Sequence, residues 1–288
     1  MRCRPTLTRV DALRTGELPK EEHRAVEEHL KTCKSCEESA TDVGELAQAV
    51  KALRIEPPRS LRESVRMTDF YDRVEDVWVA FSDRTIRMIS GHSLDDLRQR
   101  YGKRYGRTLE RATVPEPLRK QVIDALHGAG VDKPAVDLSE ASELERSVAQ
   151  ALLTIPRGEV RSYSWLAQQV GKPKAVRAVA NYVARNVVPF VVPCHRVVPA
   201  AGGVGKYGYG PKMKRDLLQR EGVDVDQLDA LAREGIRFVG SRTTRIFCCP
   251  TCRDARRIRE ENRVPFHDAD EATGKGFRPC RRCQPAAA

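Results

Sequence analysis

Nine cysteines in three groups constrain this chain more tightly than any other feature. Cys3, Cys33 and Cys36 lie near the start, Cys194 stands alone, and Cys248, Cys249, Cys252, Cys280 and Cys283 crowd the end. The opening Met1-Arg2-Cys3-Arg4-Pro5 lacks the apolar core of a secretory leader, so a cytoplasmic setting is expected. In a reducing compartment clustered cysteines read as metal ligands or nucleophiles rather than disulfides. His29-x3-Cys33-x2-Cys36 sets an imidazole at a helix end beside a two-residue knuckle, and Cys3 completes a tetrahedral set suited to zinc. His23 competes with Cys3 as the fourth ligand. Cys248-x3-Cys252 with Cys280-x2-Cys283 offers four thiolates and a closed zinc site. Two structural zinc sites are therefore expected, with no organic cofactor, and Cys194 and Cys249 are left outside the two metal sets.

The 288 residues allow several domains, and 40% hydrophobic with 32% charged residues suits a folded, soluble chain. No run of about 18 apolar residues occurs, so no membrane span is expected. The net charge of +11 is unevenly spread: Lys and Arg outnumber Asp and Glu by 13 to 9 over 138–230 and by 13 to 7 over 231–288. A polyanionic partner would meet those two stretches.

Taken in order, residues 1–50 read as helical, with Val26 and Leu30 four apart and Leu46, Val50 and Leu53 on one stripe. Ile55-Glu56-Pro57-Pro58-Arg59-Ser60 reads as a linker. Val77–Phe81 and Ile86–Ile89 alternate around a turn and predict a hairpin, followed by helices near Leu94–Tyr101 and Pro117–His127. Leu144, Val148 and Leu152 mark another helix. Ser162–Ala167 starts a helix ended by Gly171 and Pro173, and Ala175–Arg185 forms the next, which together make a helix-turn-helix. Glycine-rich 202–210 is a loop, and Lys212–Glu221 a helix capped by Gly222.

Val187–Val198 is mostly β-branched filler, predicted to be a buried strand or extended segment. Pro193, Cys194, His195 and Arg196 are set into it, and a thiol beside an imidazole in a dry wall is the makings of a nucleophile.

Pro193-Cys194-His195-Arg196-Val197 resembles the active-site motif of the O6-alkylguanine-DNA alkyltransferases. Ile155–Val160, Ser162-Tyr163, Ala175–Val179, Arg185-Asn186 and Leu217–Gly222 extend the resemblance in order and spacing. It implies an α/β N-terminal lobe at 66–137 and a mostly α, winged-helix-like catalytic domain with a helix-turn-helix at 138–228. Small zinc domains would flank them at 1–54 and 235–285. The implied reaction is single-turnover transfer of an alkyl group from guanine O6, or from thymine O4, in double-stranded DNA to Cys194, by a monomer. His195 would take the thiol proton through a water, and Glu221 would orient it. Tyr163 would assist the leaving guanine, and Asn186 would brace the active-site turn. Arg177, Ala178, Tyr163 and Lys206 would meet DNA, with Arg177 filling the gap of a flipped base. Val187 stands where the family has a proline.

Residues 243–248 with 276–283 resemble the zinc domain of the Ada phosphotriester-repair protein. There the first of four cysteines, here Cys248, binds zinc and also accepts a methyl group from the DNA backbone; Cys249 occupies a position where arginine is usual. The N-terminal His-x3-Cys-x2-Cys resembles the zinc finger of anti-sigma factors, which implies a sigma-factor-like protein partner for residues 1–54.

Overall fold

The computed structural model describes residues 3, 6, 9–15, 18–52 and 68–285; the expected linker at 55–60, and Leu53, lie outside them. Two compact units emerge, residues 1–66 and 67–288. In the first, α1 (Val10–Thr15), α2 (Lys20–Thr32) and α3 (Lys34–Ala52) pack on one another. Val26 is fully buried, as its spacing requires, whereas Val43 and Leu46 on α3 are exposed.

The second unit begins with a four-stranded sheet in the order β3-β2-β1-β4, built from β1 (Thr68–Val74), β2 (Val77–Phe81), β3 (Ile86–Ser90) and β4 (Thr108–Arg111). β1, β2 and β3 run antiparallel, so the predicted hairpin is present, and β4 joins parallel to β1. Between β3 and β4 runs α4 (Leu94–Tyr105), capped by the Ser93 hydroxyl, and α5 (Glu116–Leu126) follows. Arg87 is buried with both Asp69 (3.6 Å) and Asp137 (3.2 Å), and the Tyr101 hydroxyl donates to Asp69 at 2.6 Å. Paired this way, charges at the back of the sheet avoid the cost of an isolated buried ion.

The next lobe is mostly helical: α6 (Glu143–Leu153), α7 (Tyr163–Gln169), α8 (Val176–Ala184), α9 (Pro211–Arg220) and α10 (Val225–Arg233). A full capping box between Ser142 and Glu145 starts α6, and the Ser162 hydroxyl caps α7. α7 and α8 pack together as the two-helix unit read from the sequence. Their accompanying strands are β5 (Arg161–Ser162) and β6 (Val197–Val198), a two-residue parallel pair. One apolar core runs from Val79, Phe81 and Ile89 of the sheet through Leu152, Leu166 and Val183 to Val191 and Cys194, so the first lobe backs the site of the second.

The buried strand or extended segment expected at Val187–Val198 is a correction in conformation, not in burial. Every residue of 188–198 is buried, but only Val197–Val198 pairs as strand; Phe190 turns at φ 71°, and Cys194–Arg196 is a 3-10 turn. Pro189 and Pro193 lack the N–H that a ladder needs, so burial is kept and the strand is not.

A last sheet, ordered β10-β8-β7-β9, comprises β7 (Phe238–Ser241), β8 (Ile246–Cys248), β9 (Arg263–Phe266) and β10 (Arg278–Pro279), with α11 (Ala269–Gly274) against it. Four phenylalanines, 238, 247, 266 and 277, form its core. Gly240 is required there, because a Cβ would come within 2.8 Å of the Phe266 and Phe277 rings.

Candidate functional sites

Cys194 is 5% exposed and opens the 3-10 turn behind Pro193. The turn before it is held by Asn186, whose Nδ2 donates to Val192 O (2.9 Å) while its Oδ1 accepts from Val188 N–H (3.1 Å). The brace forms with valine at 187; the Val187 carbonyl accepts from Ile89 N–H at 2.8 Å, tying the turn to β3.

Behind the thiol lies a buried polar set. His195 Nε2 meets Glu221 Oε1 at 2.8 Å, and His195 Nδ1 is buried with no hydrogen-bond partner. Arg196 donates from Nε to both Glu221 oxygens (3.1 and 2.9 Å) and from Nη2 to Oε1 (2.9 Å), while its Nη1 reaches Ile155 O at 2.6 Å. Gly158 N–H adds a longer contact to Glu221 Oε2 at 3.4 Å. Gly158 adopts φ +75°, and a Cβ there would come within 2.9 Å of Glu221 O, so glycine is needed. Burial works against ionising Glu221, yet hydrogen bonds from His195 and Arg196 hold it at about 2, so it is a carboxylate at neutral pH. An ionised Glu221 accepts a hydrogen bond from Nε2–H, which leaves the lone pair of a neutral His195 on Nδ1.

Burial pushes the Cys194 thiol up, against hydrogen bonds from Asn186 and Tyr207 that favour the thiolate, so the resting group is a neutral thiol. The Tyr207 hydroxyl lies 3.8 Å from Cys194 Sγ. Burial and the neighbouring Cys194 raise Tyr207 well above 10, leaving it an O–H able to donate to a sulfur anion. Lys214 is 1% exposed; its Nζ donates to Val197 O (2.6 Å) and Lys206 O (3.4 Å), and burial lowers it to about 8.

Tyr163 opens α7 half-buried, its hydroxyl raised by burial and by the Cys194 charge. Arg177 and Ala178 stand exposed on α8, whose other face buries Val179 and Val183, and Lys206 is exposed in the glycine-rich loop. Sequence reasoning placed Arg196 in the motif without a role, and missed Tyr207 and Lys214 as parts of the site. Of these last two, Tyr207 carried a signal, an aromatic residue in a loop too glycine-rich to pack.

At the C-terminal end the thiols of Cys248, Cys252, Cys280 and Cys283 are all buried and lie within 4.8 Å of one another. Four sulfurs on a tetrahedral zinc at about 2.3 Å would stand roughly 3.8 Å apart, so the set fits the ion. Cys248 and Cys280 line an open cleft of about 710 Å³ with Arg257, Arg259, Arg278, Arg281 and Arg282. Cys249 lines a different hollow, of about 60 Å³, shared with Val160, Trp165 and Val198 of the helical lobe. Cys249 also stays close to the metal set, its N–H donating to Cys283 Sγ at 3.4 Å.

Near the N-terminus Cys3, His29, Cys33 and Cys36 likewise gather their donor atoms within 4.8 Å, with Cys3 Sγ 3.8 Å from Cys33 Sγ. His29 Nε2 is buried without a partner, as a ligand nitrogen awaiting an ion would be. Of the two competing fourth ligands the structure brings Cys3; His23 lies 3.7 Å from Glu27 on its own helix.

Residues 143–223 match the DNA-binding domain of 6-O-methylguanine DNA methyltransferase, 226–286 the metal-binding domain of Ada, and 3–36 a zinc-finger family. A methylated-DNA–protein-cysteine methyltransferase of Mycobacterium leprae is 44% identical over 100 residues, 34% of this chain and 61% of the relative. The bifunctional transcriptional activator/DNA repair enzyme Ada of Escherichia coli is 51% identical over 77 residues, 27% of this chain and 22% of that protein. This chain thus spans less than two thirds of the length of either relative. Among solved structures, the O6-methylguanine-DNA methyltransferase of Pyrococcus kodakaraensis is 30% identical, with 54% of this chain and 99% of that one covered and a TM-score of 0.44. Residues 143–223 are thus a DNA-binding domain of the 6-O-methylguanine DNA methyltransferase family, with an Ada-type metal-binding domain behind that segment and a zinc finger ahead of it.

Proposed function

We propose that this protein repairs DNA by moving an alkyl group from guanine O6, or thymine O4, irreversibly to Cys194. The observation that carries the reading is the bare, buried Nδ1 of His195 behind a neutral thiol, with Nε2 committed to an ionised Glu221. His195 takes the Cys194 proton through a water, and Glu221 supports the imidazolium so formed. The thiolate attacks the alkyl carbon, the carbon–O6 bond breaks, and the electron pair leaves on guanine. The Tyr163 hydroxyl hydrogen-bonds the departing base. Tyr207, at 3.8 Å, donates to the sulfur while it is charged. No base returns the thioether to a thiol, so each molecule acts once. The target base is flipped from the duplex, and exposed Arg177, Ala178 and Lys206 meet the DNA, Arg177 filling the vacancy.

The C-terminal four-cysteine set would hold zinc, which keeps its sulfurs as thiolates without a base. Cys248, facing the arginine-lined cleft, is then placed to take a methyl group from a neutral phosphotriester. The N-terminal set would hold a second zinc, stapling a module whose exposed Val43 and Leu46 support a protein partner of the sigma-factor kind. Nine cysteines without a disulfide support a reducing, cytoplasmic setting; no helix of the described residues is long and apolar enough to cross a membrane.

The test is intact-mass analysis after incubation with duplex containing O6-methylguanine. One methyl per protein, mapped to Cys194 and absent from Cys194→Ala, is expected; an unmodified Cys194 with the damaged base left in place would refute the reading.

A further inference from the structure

Residues 155–162 touch both cysteine regions at once. On one side their backbone is woven into the Cys194 site: Ile155 O accepts Arg196 Nη1 at 2.6 Å, Gly158 N–H points at Glu221 Oε2, and Arg161–Ser162 pairs with Val197–Val198 directly after the reactive turn. On the other side they meet the metal domain. Val160 N–H donates to Thr251 Oγ1 at 2.9 Å, and Glu159 Oε1 accepts from Arg253 N–H at 3.0 Å. Thr251 and Arg253 flank Cys252, one of the four metal-set thiols.

Glu159 and Arg161 are each 2% exposed, and Arg161 Nη2 donates to Glu159 Oε2 at 2.5 Å. A carboxylate so buried is tolerated only when its oxygens are matched. Here the two oxygens serve opposite sides, one the lobe's own arginine and the other the backbone of the metal loop. The peptides at 158–160 are thus bonded on one side to the metal domain and on the other, through the Gly158 N–H, to Glu221.

We propose that Glu159 is a positioning residue that couples the C-terminal metal domain to the alkyl-acceptor site, so that Cys194 reacts at full rate only with the Cys252 loop docked against residues 158–160. The proposal rests on the reading of Cys194 as the acceptor. Coupling of this kind is reciprocal: whatever loosens the contact also weakens the hold of the loop on its ion.

The test uses the full chain loaded with zinc, as Glu159→Gln and, because that change strands Arg161, also as the near-isosteric Thr251→Val. Three quantities are read: the rate constant for benzyl transfer from free O6-benzylguanine to Cys194, its pH profile, and the rate of zinc release to a chromogenic chelator. The free base removes DNA binding from the measurement. We expect the transfer rate to fall roughly five- to tenfold, the scale on which small misplacements of catalytic groups act. The acid limb of the profile should move to lower pH. His195 is faced by Glu221, Arg196 and Lys214, and a displaced Glu221 supports its imidazolium less. Zinc should leave several-fold faster. A thermal melt identifies a variant that has not folded, in which case Thr251→Val decides. Rates within twofold of the unaltered protein, with an unmoved pH profile in a folded variant, overturn the coupling. If the unaltered protein does not react with the free base, the same rates are read with O6-methylguanine duplex, and absence of transfer there overturns the reading of Cys194 itself, and the coupling with it.

Discussion

Around Cys194 a single thiol sits among apolar side chains with an imidazole, a carboxylate and a buried lysine behind it; around Cys248 four thiols crowd within 4.8 Å, with arginines and Asp254 at the rim. Both arrangements answer the same difficulty, which is that a buried thiol resists losing its proton. The first keeps the thiol neutral and stations a base beside it. The second would leave deprotonation to an ion, and so needs no base within reach. A base-relay site depends on hydrogen-bond direction, whereas a metal-thiolate site depends on ligand count.

The sharpest break between the two is deletion of one sulfur. Cys194→Ala should lose all transfer from O6-methylguanine yet still accept one methyl from DNA carrying only methyl phosphotriesters. Peptide mapping should find that methyl on Cys248; a label on Cys249, which lines the hollow beside the helical lobe and not the cleft, would show that the cleft is not the reactive surface. Next in size, Glu221→Gln keeps the shape and removes the charge that supports His195. Single-turnover transfer to Cys194 should slow about 100-fold, with phosphotriester transfer far less affected, and equal losses at both sites would erase the distinction. Arg177→Ala should slow repair of duplex about tenfold while sparing reaction with free O6-benzylguanine, since only the duplex has a gap to fill. Parallel slowing of both substrates would remove Arg177 from base extrusion.

A further effect is on stability rather than rate. Glu221 is held at about 2 against an ordinary 4.5, so its contribution is complete above pH 4.5 and is lost as pH falls from there toward 2. That contribution is about 3 kcal/mol. Acid unfolding of Glu221→Gln, followed by circular dichroism, should show a correspondingly flatter pH dependence across that window; an unchanged slope would mean the carboxylate is not paired as described.

Local pattern carried much of this to the reader of the sequence, and tertiary context hid the rest. The β2–β3 hairpin was legible because Val77, Val79, Ile86 and Ile89 announce their burial directly. β1 was not, because Asp69 is buried in it and is satisfied by Tyr101 and Arg87 from far along the chain. β4 is an edge strand whose residues are mostly exposed, so it shows no apolar alternation. Cys194, His195 and Glu221 could be named from their motif. Lys214 could not, since a lysine on an amphipathic helix ordinarily reads as solvated, and only the carbonyls of Val197 and Lys206 give it a reason to be inside. The Val187–Val198 stretch shows the opposite error, where composition spoke for a strand and two prolines overruled it.

The docking of Thr251 and Arg253 onto residues 158–160 also bears on how such chains are assembled from parts. A gene fusion is usually pictured as joining finished modules through an indifferent seam. Here residues 67–288 cluster as one unit, and the seam includes a buried ion pair whose second oxygen is used only when the appended module is present. Cutting the chain near residue 230 would wet Glu159 and leave the Val160 amide without the hydroxyl it now has. Recombination could bring these two modules together freely; once Glu159 had settled between them, exchanging either for a relative's version would mean replacing both faces of the seam together.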